Sequence, residues 1–384
     1  MTRRLLKKFL VGLVGGVAIA LSISIFYTAT ASTSFYYAIT DLGDLDPSNV
    51  VNYSNAYDIN NSGLVVGSSG VSGVSATQIG SSGSTGYQHA FKWKNDTMID
   101  LADLEPFPRR SSQANGTNNF GLVVGSFSIN RAVLGTAGSQ NQYTRAVLWR
   151  NNTMINLGTL GGSDSQAYDI NDPGQIVGSS STSSGATHAF KWEKGTMTDL
   201  GTRTSGYGNS YAYDINNKGQ IVGYSEIKEG PYQAVKWENG QIIELGALAD
   251  SYSHSIARAI NNKGQVVGES QYMTKSGGPY HAFLWDNNTM TDLGSLGGDA
   301  SYARDINEAG VVVGSSNTVP KGVLSGFVWR KGHMTDLNQL LPPNSGWKIQ
   351  YPYGINDRGQ IVGQGIFNNN ANRAFLLTPV WVTN

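Results

Sequence analysis

The chain has 384 residues, 27 basic and 27 acidic side chains, a formal net charge of zero and only 14% charged residues. That balance removes the electrostatic case for nucleic acid or an anionic membrane surface as partner. The absence of cysteine excludes disulfides, thiolate metal sites and a cysteine nucleophile.

At the amino terminus, Arg3, Arg4, Lys7 and Lys8 precede an apolar run from Phe9 to Phe26. Ala29-Thr30-Ala31 then supplies a small-x-small cleavage pattern, so residues 1–31 are expected to be a signal peptide. An uncleaved signal anchor stays open, because eighteen residues at about 1.5 Å each reach roughly 27 Å, close to a bilayer core. Both readings put the remainder outside the cytoplasm, as an extracellular, periplasmic or cell-surface protein. Thr2-Arg3-Arg4-Leu5-Leu6-Lys7 loosely resembles a twin-arginine export signal, and the Sec and twin-arginine routes both stay open.

The next element is Tyr37-Ala38-Ile39-Thr40-Asp41-Leu42-Gly43, whose relatives recur further on as Thr196-Met197-Thr198-Asp199-Leu200-Gly201 and Asp292-Leu293-Gly294. After it comes a twelve-residue phrase, cleanest as Ala212-Tyr213-Asp214-Ile215-Asn216-Asn217-Lys218-Gly219-Gln220-Ile221-Val222-Gly223. Its closing glycine falls at Gly67, Gly125, Gly178, Gly223, Gly268, Gly314 and Gly363. Self-similarity at this period indicates a repeat architecture. Each copy is followed by a phrase such as His188-Ala189-Phe190-Lys191-Trp192, degenerate in the last copy as Ala374-Phe375-Leu376-Leu377. Each phrase alternates apolar and polar residues, the mark of a half-buried strand, and Asn-Asn-Lys-Gly, Glu-Lys-Gly or Glu-Asn-Gly turns join them.

Four short antiparallel strands in about 45 residues are a propeller blade. The last copy runs out at Leu377-Thr378-Pro379, lacking its fourth strand, and residues 37–42 offer a fourth strand that precedes any blade of its own. The predicted fold is therefore all-β: a seven-bladed β-propeller at 36–379, closed by the N-terminal strand joining the last blade, with a short tail at 380–384.

The three phrases, recurring in order over residues 36–378, resemble the bacterial extracellular HAF-repeat family, named for the tripeptide seen at His89-Ala90-Phe91, His188-Ala189-Phe190 and His281-Ala282-Phe283. The resemblance implies export and a repeat fold, and implies no activity. Blade 2 departs most, with Ala114-Asn115-Gly116-Thr117-Asn118 in place of the Ala-Tyr-Asp-Ile-Asn phrase.

Asp214-Ile215-Asn216-Asn217-Lys218-Gly219 superficially matches a calcium loop, but the fifth position holds Ser62, Pro173, Lys218, Lys263 or Ala309 in various copies, and no later acid follows. A hairpin turn is the expected reading. The repeat histidines sit at one structural position of alternate blades, so packing at a strand edge is expected of them, and packing between blades of the repeat tryptophans. No acid pair, nucleophile elbow, phosphate loop or His-Glu-x-x-His motif stands out. The expectation is a non-enzymatic protein with no cofactor and no metal.

The turns after strands one and three share one face of the disc and are tight. The connections after strands two and four share the other face and vary in length, which marks a binding face in repeat proteins. Tyr207, Tyr232, Tyr252, Tyr143, Tyr280 and Trp347 on that side are the candidate ligand-binding residues. The expected function is an exported monomeric module that binds a glycan or protein there, with the membrane involved only through an N-terminal anchor. The alternative is an extracellular hydrolase or lyase with its site in the central channel, which acids converging from several blades would support.

Overall fold

The glycine-closed turns and alternating strands assemble as expected. The computed structural model describes residues 13–14, 17–18, 33–46, 53–71, 87–102, 110–132, 140–151, 153–204, 208–228, 230–273, 278–368 and 371–383. Apart from 13–14 and 17–18, the expected signal segment and its cleavage pattern lie outside these residues, as does Tyr207. Tyr36–Val380 form one unit. Met1–Phe35 and Trp381–Asn384 form another, in which Leu13–Val14 pair with Val17–Ala18 and the rings of Phe35 and Trp381 lie 4.6 Å apart.

The described residues contain seven four-stranded antiparallel sheets. Blade 4 is typical, with Ser210–Ile215, Ile221–Ser225, Gln233–Glu238 and Gln241–Gly246 hydrogen-bonded in chain order. Blades 1, 2, 3, 5 and 6 have first strands Ser54–Ile59, Ser112–Thr117, Gly161–Ile170, Ser255–Ile260 and Ser301–Ile306. Blade 7 is composite: Trp347–Ile355, Ile361–Phe367 and Ala371–Thr383 are completed by the strand Thr33–Asp41. The Leu42 amide donates to the Ala374 carbonyl at 3.1 Å, so the ring closes as the displaced fourth strand implied.

The core lies between blades. One cluster joins Val362, Ala374 and Leu376 of blade 7 to Ile59, Val65, Phe91 and Trp93 of blade 1. Another joins Val222, Ala234 and Leu245 of blade 4 to Ile260, Val266, Phe283 and Trp285 of blade 5. The tryptophans therefore seal interfaces with the preceding blade. Each first strand packs against the first strands of both neighbours, so the first strands form the innermost wall.

Two closed polar rings lock that wall. The buried asparagine that follows the first strand of every blade donates its amide to the carbonyl of its counterpart in the next blade: Asn60 to Asn118, then Asn171, Asn216, Asn261, Asn307, Asn356 and back to Asn60, at 2.7–3.1 Å. Its Oδ1 accepts turn amides, as Asn261 does from Lys263 and Gln265, both at 3.1 Å. One residue on, the side-chain oxygens of Asn119, Asp172, Asn217, Asn262, Glu308, Asp357 and Asn61 accept the main-chain N–H of the preceding blade's counterpart at 2.7–3.0 Å.

The inner ring is buried, so breaking it strands polar groups without water. Asn261→Ala should cost about 2–3 kcal/mol, and Asn262→Ala, in the more exposed outer ring, about 1 kcal/mol or less. Equilibrium denaturant unfolding of both variants measures the difference. Equal costs would mean that burial of the inner ring adds nothing.

Candidate functional site

Every first strand carries a β-bulge at the same place. Ala212 pairs with Gly223 and Asp214 with Val222, leaving Tyr213 as the extra residue. The same shift recurs at Tyr57, Asn115, Tyr168, Arg258, Arg304 and Tyr353. Bulges re-aim side chains, and here they form a collar on the innermost wall. The rings of Tyr57 and Tyr353 are 5.6 Å apart and those of Tyr168 and Tyr213 5.3 Å, across blade boundaries. The closing glycine of the repeat is a consequence: a methyl group at Gly223 would overlap the carbonyl oxygen of Tyr211.

Below the collar, toward the tight-turn face, the strand ends of all seven blades surround a polar cavity of about 180 Å³. Asp58, Asp169, Asp214 and Asp305 converge on it, while the equivalent positions hold Gly116, Ala259 and Gly354. Each carboxylate latches the next blade by accepting a main-chain N–H: Thr117 on Asp58 at 2.7 Å, Ile215 on Asp169 at 3.1 Å, Ile260 on Asp214 at 2.6 Å and Ile355 on Asp305 at 2.7 Å. Among seven positions in a circle, four acids must put at least two side by side, and these are Asp169 and Asp214. Burial, then the charge of Asp169 and a hydrogen bond to it, push Asp214 well above the usual carboxylate range. Burial, then the charges of Asp169 and Asp305, raise Asp58 to about 8. Burial also raises Asp305, to about 6.

Above the collar, on the long-connection side, the sevenfold pattern breaks in blades 4, 5 and 7. After the closing glycine stand Ser68, Ser126, Ser179 and Ser315, but Tyr224 in blade 4, Glu269 in blade 5 and Gln364 in blade 7. Glu269 is buried and accepts from Nε of Arg258 at 3.0 Å, while Arg304 approaches it only to 3.9 Å. The Arg258 guanidinium lies over Tyr213 at 4.7 Å, and that of Arg304 near Tyr302 at 5.9 Å. A chain of rings completes the circuit. Tyr224 is 6.0 Å from Tyr213 and 5.3 Å from Tyr232, the Tyr232 and Tyr280 hydroxyls meet at 2.8 Å, and Tyr280 is 6.4 Å from Tyr302.

Of the residues expected at a ligand, the structure brings Tyr232 and Tyr280 together. Tyr252 stands apart and is 83% exposed in the connection to blade 5. Tyr143 lies beneath the Arg145 guanidinium in blade 2, 6.0 Å away. Trp347 packs on Phe367 and Phe375 at 5.1 and 6.2 Å, which gives it a packing role in blade 7. The repeat histidines tie strand three to strand four within a blade: His89 to Asp100 at 2.7 Å, His188 to Asp199 and His281 to Asp292 at 2.8 Å. Sequence reasoning missed Tyr211, Tyr213, Tyr224, Arg258, Glu269, Tyr302 and Arg304. The available signal was departure from the repeat inside strands, above all Tyr224 and Glu269 where other copies have serine.

The chain belongs to the family described as "Protein of unknown function (DUF3466)", whose model matches residues 128–236, 196–296 and 250–374. No curated protein matches the chain. Among solved structures, it is similar to the β-propeller domain of the Trilobed protease from Pyrococcus furiosus, described as having an open velcro topology. The TM-score is 0.51 and the identity 10%, over 87% of this chain and 99% of that one. TolB from Acinetobacter baumannii is similar at 0.37 and 11%, over 83% of this chain and 82% of that one. Trypanosoma rangeli sialidase is similar at 0.40 and 9%, over 89% of this chain and 59% of that one. At these identities the likeness shows the fold alone.

The carboxylate mouth makes stability depend on pH. A carboxyl whose folded pKa is raised holds its proton more tightly folded than unfolded. Its contribution is thus fully present below about pH 4 and lost as pH rises through about 6 to 8. The melting temperature should therefore be higher at pH 5 than at pH 9, and Asp58→Asn should flatten that fall by a few degrees. A melting series in buffers of equal ionic strength measures it, and a rise in stability toward pH 9 would refute the assignment.

Proposed function

We propose that this protein is an exported, non-enzymatic binding module whose ligand, a glycan or a protein segment, seats at the long-connection end of the channel against blades 4 to 6. One observation supports this above the rest. Inside an otherwise repeating wall, Tyr224 and Glu269 replace the serine after the closing glycine, and Arg258 and Arg304 replace the collar tyrosine, all in the consecutive blades 4 to 6. Tyrosine offers a large contact area at low entropic cost, with a hydroxyl for polar groups. Export rests on the amino-terminal signal pattern and on the three phrases of HAF type.

The convergence of four acids at the other mouth favours a second reading, a hydrolase or lyase acting in the channel. The neighbouring carboxyls of Asp169 and Asp214, with Asp214 held well above the usual carboxylate range, are the kind of pairing that general acid–base chemistry uses. Against it, the Oδ2 atoms of all four acids bind main-chain amides, and Asp58, Asp214 and Asp305 also accept the next residue's N–H through Oδ1, at 2.7 Å in each case. Turnover of a glycan by the purified protein that disappears in Asp58→Asn would establish the second reading over the first.

Under the binding reading, Tyr280→Ala and Tyr302→Ala should each weaken ligand capture about tenfold or more with the fold intact. Trp347→Ala should instead lower the melting temperature and spare affinity. A glycan array with the unaltered protein, followed by titration of the best hit against each variant, tests this. Unchanged affinity in both tyrosine variants would sink it.

A further inference from the structure

Resting on the binding reading, we infer that the site takes an acidic saccharide, and that Arg304 holds the carboxylate of a uronic acid residue. Charge comes first. Arg258 and Arg304 face one buried carboxylate, Glu269, and Arg258 occupies it at hydrogen-bond distance. Arg304 reaches the same carboxylate only at 3.9 Å, so two guanidinium charges share one anion and Arg304 is the less neutralised of the two. It sits on the innermost wall with 31% of its side chain exposed. A guanidinium is the side chain best shaped to take a carboxylate through two parallel N–H bonds.

The surroundings of Arg304 suit a pyranose ring. Tyr302 lies beside it on the same strand, and Tyr280 of blade 5 adjoins Tyr302. On the other side, Tyr353 is within electrostatic reach of Arg304, Tyr57 and Tyr53. Aromatic faces take the C–H face of a sugar, and phenol hydroxyls take its hydroxyls. Beyond Tyr57 stands Asn55, which gives its amide N–H groups to the hydroxyls of Tyr53 and Tyr57 at 2.6 and 3.1 Å. Its Oδ1 is buried with no hydrogen-bond partner. That atom is enclosed in the wall, so Asn55 serves to hold the Tyr53 and Tyr57 hydroxyls in place beside the site.

An acidic peptide fits less well. Peptides commonly bind such walls by adding a strand to a free sheet edge. The first strand is the inner edge of every blade, but the bulge at Arg304 and its six equivalents interrupts that edge. A ligand that needs side-chain contacts alone, with one carboxylate per ring, suits the wall better.

Calorimetric titration of the full chain tests this with three probes: a galacturonic acid trimer, a galactose trimer and triglutamate. The uronate trimer should bind at least tenfold more tightly than either other probe, and the preference should shrink as salt rises. Arg304→Gln should cost the uronate trimer at least tenfold and leave the galactose trimer unaffected, while Arg304→Lys should retain part of the preference. No uronate binding, equal binding of both sugars, or preference for triglutamate would overturn the inference. The first comparison uses the unaltered protein, so it stands even if a variant misfolds. Galactose binding that depends on Tyr280 would leave the binding reading standing while this one falls, whereas loss of every ligand on the array would remove both.

Discussion

The structure depends on one backbone irregularity, the bulge opposite the closing glycine of each repeat. One extra residue in the first strand brings the carbonyl of the residue two before it against the glycine, where a side chain would collide, as at Tyr211 and Gly223. The bulge then fixes three things in sequence. The extra residue joins the collar, the following acid reaches the next blade's main chain, and the asparagine after that is placed for the closed amide ring. The phrase Tyr-Asp-Ile-Asn followed by Ile-Val-Gly is therefore one structural device.

Closure by polar rings complements the apolar interfaces. The apolar clusters are local to pairs of blades, and the one between blades 7 and 1 forms only when the ring closes. The asparagine ring adds a polar bond at the same junction, because its last link, from Asn356 to the carbonyl of Asn60, exists only when blade 7 meets blade 1. A buried amide and carbonyl left apart cost more than the bond itself is worth. The ring thus disfavours opening, and the strand Thr33–Asp41 removes the free edge that blade 7 would otherwise present.

Much of this was legible in the sequence. Seven closing glycines gave seven blades, and residues 37–42 beside an unfinished last repeat gave the closure. The turn glycines adopt positive φ, such as +79° at Gly219, and the tryptophans line blade interfaces. The collar was not legible, because a period-two reading has no place for an extra residue. It treats Tyr213 as an ordinary strand residue and Asp214 as part of a turn. The same reading sent the search for function to the variable connections. It named Tyr232 and Tyr280, which the structure brings together, and Trp347, which packs on Phe367 and Phe375.

The division of labour within a blade explains where function could accumulate. The large apolar side chains, such as Phe283 and Trp285, spend themselves on the neighbouring blade, and the asparagines and acids spend their oxygens on main-chain amides. The collar residue and the residue after the closing glycine are held less uniformly: Asn115 and Ser315 bond a neighbouring blade's carbonyl, and the tyrosines and arginines at these positions do not. They tolerate Tyr, Asn or Arg at the first position and Ser, Tyr, Glu or Gln at the second without disturbing the ring. Substitution there in neighbouring blades produces an asymmetric patch on a symmetric scaffold. Arg258, Glu269 and Arg304 are its charged part, two guanidiniums about one carboxylate.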